Sequence, residues 1–185
     1  MQLILPKNFV EVGADSFYAK TPLFFLAGPV LGGGDWQRKM LHLINQRQEH
    51  CLVAIPCRYP EEDEIRRLHV PNYAQNVFAH QTHWERCYLR HAAQKGCIIF
   101  WLGEEDKFNP RDDGEPYARD TRGEIGAWGV HLKYVPSFRV VVGAEPGFPG
   151  LSVIKRNLDD ELGYDFPIYS TMEDTVKAAV RKLYE

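Results

Sequence analysis

At 185 residues, with 22 basic against 25 acidic side chains and a formal net charge of -3, the chain has the length of one domain with a real core. Hydrophobic residues make up 44% and charged residues 25%, and that ordinary, near-neutral balance excludes a surface built to coat a nucleic-acid polymer or an anionic membrane. No apolar run approaches the ~20 residues that cross a bilayer, and the opening Met1-Gln-Leu-Ile-Leu-Pro6 lacks the basic region of a secretory signal.

Without such a signal, Cys51, Cys57, Cys87 and Cys97, none of them in a C-x-x-C pair, read as reduced thiols of a cytoplasmic protein. Short apolar runs alternate with amphipathic stretches, the pattern of βαβ units. Leu23–Ala27 is the first clear strand, buried on both faces by its unbroken hydrophobicity. It ends in Gly28-Pro29 and the triplet Gly32–Gly34. Asp35 stands as N-cap to a helix over Trp36–Gln46, with Trp36, Met40, Leu43 and Ile44 as its apolar stripe. Leu52–Ile55 is the second strand, stopped by Pro56. Residues 57–80 are polar and read as a long loop with some helix. A helix over about Thr82–Gln94 leads through Gly96 into the strand Cys97–Leu102. Gly103–Asp120, rich in Asp, Glu, Gly and Pro, reads as a loop; loops that long in a compact domain are functional or disordered. Helix over Thr121–Leu132, strand over Arg139–Val142, helix over Leu151–Leu162, strand over Phe166–Tyr169 and helix over Thr171–Leu183 complete the chain.

About five strands and five helices in alternation predict an α/β fold, a flavodoxin-like open parallel sheet with helices on both faces. The domain spans residues 1–185, with 1–20 outside the alternation as a flanking arm or hairpin. Ligands of such sheets bind beyond the carboxyl ends of the strands, which directs attention to the loops Gly28–Asp35, Pro56–Gln81, Gly103–Asp120 and Gly143–Gly150.

Several residues there are able to carry chemistry. The Gly32–Gly34 turn brings backbone N–H groups to a helix start, yet it matches neither G-x-G-x-x-G nor the P-loop. Glu85 and Glu124 each have two readings. Thr82-x-x-Glu85 and Thr121-x-x-Glu124 fit a capping box, in which the carboxylate only satisfies backbone N–H groups. Two carboxylates converging at the carboxyl edge of a central strand would instead suit work on a glycosidic bond. The row His83, Cys87 and His91 has helical spacing that describes a surface stripe as well as a metal site, and a zinc site usually draws on a second segment. The runs Glu61–Glu64 and Glu104–Asp106 read as solvated loops.

Taken in order, Phe25-Leu-Ala-Gly-Pro29, Trp84-Glu85, Ile99-Phe-Trp101 and Arg122-Gly-Glu-Ile-Gly126 resemble the nucleoside 2-deoxyribosyltransferase superfamily over roughly residues 23–145. The resemblance implies cleavage of the N-glycosidic bond of a 2′-deoxyribonucleoside and transfer of the sugar to a second nucleobase through a covalent glutamyl intermediate. It implies Glu124 as nucleophile and Glu85 as the acidic residue that positions sugar and nucleophile, with Phe25, Gly28, Asp120 and Arg122 about the substrate and Trp128 or Trp101 enclosing it. It implies no metal or organic cofactor, small-molecule substrates only, and a homo-oligomer with sites near subunit contacts. Typical members carry an aspartate six residues before the nucleophile, where this chain has Ala118; Asp120, Asp113 and Asp112 are the replacements at hand. Phe25 stands where an aromatic precedes the L-A-G-P segment, and it lacks the hydroxyl of a tyrosine. Two other functions fit the same motifs: a nucleoside or nucleotide N-glycosidase, with a phosphate loop of Gly32–Gly34 and Arg38 or Arg122, and a non-catalytic nucleotide-binding domain.

Overall fold

A computed structural model of the chain describes residues 1–57, 59–60, 62–71 and 77–185. Among them, six strands form one parallel sheet: β1 (Gln2–Ile4), β2 (Leu23–Ala27), β3 (Leu52–Ala54), β4 (Cys97–Leu102), β5 (Val140–Ala144) and β6 (Ile168–Tyr169). Their order across the sheet is β1-β3-β2-β4-β5-β6, and every neighbouring pair is parallel. Five helices connect and cover them: α1 (Trp36–Arg47), α2 (Gln81–Lys95), α3 (Arg119–Tyr134), α4 (Leu151–Leu162) and α5 (Met172–Arg181). This is the open α/β sheet that the alternation predicts, with one strand more.

The extra strand is β1, and it corrects the reading of the first residues. Gln2–Ile4 pairs with Leu52–Ala54 at the sheet edge instead of forming a hairpin. Residues beyond it do lie outside the sheet, along α2. There the Tyr88 hydroxyl accepts from Val10 N at 2.7 Å, and Lys95 Nζ donates to the Val12 and Tyr18 carbonyls at 2.9 and 2.7 Å. In the 57–80 stretch the described residues hold a short 3-10 turn, Glu64–Leu68, and a bridge between His69 and Leu3. The part of that predicted loop at residues 58, 61 and 72–76, Glu61 of the acidic run included, lies outside the described residues.

Parity along β4 sorts the core into two layers, because successive side chains leave opposite faces of a strand. Ile98, Phe100 and Leu102 join Phe25, Trp84, Tyr88, Ile125, Trp128 and Leu158 under α2, α3 and α4. Cys97, Ile99 and Trp101 join Phe24, Leu26, Met40, Ile44, Val176 and Ala179 under α1 and α5. All four cysteines are free thiols. No described helix is long and apolar enough to cross a membrane.

The turn from α2 into β4 depends on Gly96, where an added Cβ would stand 1.8 Å from the Leu23 carbonyl oxygen. Backbone cannot yield as a flexible side chain does. Gly96→Ala is therefore expected to destabilise the fold by about 2–3 kcal/mol, measured by urea denaturation.

Candidate active site

Glu85 and Glu124 each sit one turn inside a helix, and neither caps it. The N-cap position of α2 is His80, in extended backbone with no side-chain cap bond. Thr82 is already helical, and the Glu85 carboxylate accepts from Gln81 Nε2 at 2.9 Å. At α3 the N-cap position is Ala118, in left-handed backbone at φ 54, and Thr121 is buried within the first turn. The capping reading of both glutamates is thus overturned, which leaves their carboxyls free for other work. Asp35 stands at the N-cap of α1 but does not cap either: it binds Arg38 Nε at 2.9 Å and accepts from the Tyr59 hydroxyl at 2.7 Å.

The start of α3 is placed by the loop that precedes it. The Tyr117 hydroxyl reaches back to donate to the Gly103 and Glu104 carbonyls at 2.8 and 3.1 Å. Arg111 donates its backbone N–H to Glu105 at 2.9 Å and grips Asp113 through Nε and Nη2, at 2.5 and 2.9 Å. The acidic run 104–106 is therefore not simply solvated. Glu104 accepts from Gly147 N at 2.8 Å and Asp106 from Phe108 N at 2.9 Å, so each of the three carboxylates braces backbone. Asp63 does the same at the 3-10 turn, accepting from Ile65 N at 3.0 Å while pairing with Arg38 at 2.9 Å.

These constraints open a cleft of about 830 Å³ at the carboxyl ends of β2 and β3, between α2 and α3. Gly28, Glu85, Asp120, Glu124 and Trp128 all line it. Gly28 is required by close approach, since a Cβ there would meet the Trp101 carbonyl at 2.5 Å and the Trp36 ring at 2.7 Å. Ala118 lines the cleft together with Asp120 and Asp113, two of the three candidate replacements for the missing aspartate; Asp112 is exposed and absent from the wall.

Three expected residues take other positions. Phe25 is fully buried in the core against Trp84, ring centroids 5.8 Å apart. Arg122 turns back to donate to the Tyr117 carbonyl at 2.6 Å. Trp101 points to the α1/α5 layer, on the other face of the sheet from Trp128. Residues that the sequence reading did not single out also line the cleft: Arg86, Arg90, Arg111 and His131. Spacing held part of that signal, since Arg86 and Arg90 stand four apart on α2 and His131 follows Glu124 by two turns of α3.

Burial pushes the Glu124 carboxyl up to about 7, and the negative charges of Glu85 and Asp120 push the same way. Glu85 is raised too, chiefly by burial and further by Asp120, against the lowering effect of the Gln81 hydrogen bond. Asp113 goes the other way: its bond with Arg111 is the main cause that brings it down to about 2. The cleft therefore sets a carboxyl raised to about 7 beside one fixed carboxylate. No group of three or more His, Cys, Asp or Glu side chains converges as a metal site among the described residues, the row His83, Cys87 and His91 included. Compared with known proteins, the chain matches no family model and no curated protein sequence.

Proposed function

We propose that the chain is a nucleoside 2-deoxyribosyltransferase with Glu124 as its nucleophile. One observation carries the reading: Glu124 and Glu85, neither of them capping its helix, meet in one cleft where Glu124 titrates near neutrality. An oxocarbenium-like centre is stabilised by a nearby anion, and a carboxylate both stabilises and traps it. The Glu124 carboxylate bonds to the anomeric carbon as the C–N bond breaks and its electron pair leaves with the base. A second base then attacks the same carbon and displaces the carboxylate. The departing base takes up a proton, and Asp113, held ionised by Arg111, is unsuited to give one. Asp120 is likewise engaged by Arg119 Nε at 3.0 Å, so Glu85 is the cleft carboxyl left to give that proton and to take one back from the entering base.

A hydrolytic variant on a phosphorylated nucleoside is the second reading. The loop first suggested for it gives little support, because Arg38 is engaged by Asp35, Asp63 and Glu64, and Arg122 by the Tyr117 carbonyl. Gly32 and Gly34 moreover face Glu105 and Asp106. What favours it is the pair Arg86 and Arg90, which line the cleft and carry no ion pair among the described residues. Incubation with a deoxynucleoside or its 5′-monophosphate, with and without a second base, separates the readings. Base exchange without free sugar means transfer, free sugar regardless of acceptor means hydrolysis, and binding with neither means a non-catalytic domain. Since the chemistry runs on carboxylates alone, dialysis against EDTA is expected to leave exchange unchanged. Loss of activity restored by zinc would bring the His83, Cys87 and His91 row back into consideration.

A further inference from the structure

A groove of about 360 Å³ opens at the amino end of β5, the end of the sheet away from Glu124. It exists because β6 stops short. β6 pairs only with Val142 and Gly143, so Val140 and Val141, the first residues of β5, have no outer strand among the described residues. In the register of β6, their partners would be Phe166 and Pro167. Neither is free to pair. Pro167 has no backbone N–H to give, and the Phe166 N–H is already donated to the Asp159 carboxylate at 2.8 Å. The sheet edge is thus held open at this point by the chain's own bonds.

Aromatic rings wall the opening: Phe138 ahead of β5, and Tyr164, Phe166 and Tyr169 around β6. Phe138 is fixed against Trp128 with ring centroids 5.8 Å apart, and Phe166 against Tyr164 at 6.2 Å. Tyr164 is nonetheless 55% exposed, a ring left facing water at the rim. The charged side chains of the lining are two lysines, Lys133 near the end of α3 and Lys182 just beyond α5. Each meets one glutamate that lies outside the lining: Lys133 pairs with Glu161 at 3.1 Å and Lys182 with Glu185 at 3.2 Å. Exposed pairs of this kind hold weakly, and an ammonium has three protons to donate, so both lysines can take a second anionic partner. A flat ring would stack on or meet the aromatic walls edge-on, and an anionic group on that ring would reach the lysines.

We propose that this groove binds a small, flat aromatic acid in its anionic form, the ring against Tyr164 and Phe166 and the anionic group at Lys133 and Lys182. The volume falls in the range of small-molecule sites. The site is independent of the Glu124 reading, and its test is a binding measurement that needs no turnover. The probe is 2-naphthoate, titrated into protein with 13C-labelled Leu and Val methyl groups, with 2-naphthamide as the ring-matched neutral molecule. Naphthoate is expected to shift the Val140 and Leu162 methyls of the groove saturably, and to leave in place those of Leu89 in the Glu124 cleft and Leu43 on α1. The amide is expected to bind at least fivefold more weakly. Tyr164→Ala removes an exposed wall and is expected to weaken naphthoate binding by fivefold or more. Lys133→Gln combined with Lys182→Gln leaves the rings in place and is expected to bring naphthoate down to the affinity of the amide. The proposal is overturned if the Val140 and Leu162 methyls do not shift, if the amide binds as well as the carboxylate, or if either variant binds naphthoate like the wild type.

Discussion

Glu124→Gln is expected to abolish base exchange while leaving a folded protein that still binds nucleoside. The amide keeps the size and much of the polarity of the side chain but has no anion to attack the anomeric carbon. An attacking carboxylate lies within ~3–3.5 Å of its target in the reactive complex, so a slowly turned-over 2-fluoro-substituted deoxynucleoside should leave one sugar on the wild-type enzyme. Peptide mass spectrometry is expected to map that adduct to Glu124, and the variant to form none. An adduct elsewhere, or exchange by Glu124→Gln near the wild-type rate, would sink the assignment.

The raised carboxyl adds a signature that separates chemistry from folding. Only the ionised form attacks, so wild-type exchange is expected to climb as pH rises through about 7, where burial and the neighbouring carboxylates have moved Glu124. Stability runs the other way. A carboxyl with a higher pKa in the folded state than in the unfolded one holds its proton preferentially when folded. Its contribution is full below the unfolded value, near ~4.3, and is lost as pH rises through about 7. Glu124→Gln escapes that loss. Its melting temperature is expected to exceed the wild-type value at pH 8, with the difference shrinking as pH falls and gone below about pH 4. No gain at pH 8 would mean that Glu124 is not held in the buried state described.

Glu85→Gln is expected to lower exchange by ~10²-fold or more, the scale of a lost positioning or acid–base group. Because Glu85 does not cap α2, the substitution should have little effect on melting; a capping residue would instead lose about 0.5–2 kcal/mol of stability. The amide still pairs with Gln81, so the helix surface is preserved. Removing the Glu85 charge also relieves one of the influences that raise Glu124. The rising limb of the pH profile is therefore expected to move to lower pH in the variant. Turnover near wild type with an unmoved profile would take Glu85 out of the site.

Much of this molecule is legible in the chain itself, for local reasons. Leu23–Ala27 and Cys97–Leu102 are strands because unbroken apolar runs of that length bury both faces of a parallel sheet, and both were located to the residue. The stripe Trp36, Met40 and Ile44 sets the inward face of α1 by its helical period alone. The placement of Glu85 and Glu124 at the carboxyl edge follows from the alternation of elements, since every helix of such a sheet begins where a strand has ended.

What needed the tertiary structure depends on contacts between distant residues. Gln2–Ile4 is too short for any period to announce it, and it becomes a strand only because the β3 edge is there to pair with. Thr-x-x-Glu reads the same whether the glutamate caps or not; Ala118 becomes the N-cap because Tyr117 is tied back to Gly103 and Glu104. Asp113 is a fixed carboxylate and Glu124 a proton-holding one although both precede or open the same helix, since one meets Arg111 and the other is buried beside Glu85. Which cleft arginines carry no ion pair among the described residues, and that Trp101 turns its indole away from the cleft, follow likewise from side-chain partners and from which face of β4 each residue leaves. Strand and helix propensity act over a few residues, whereas burial, charge pairing and capping are settled by whatever the folded chain brings alongside.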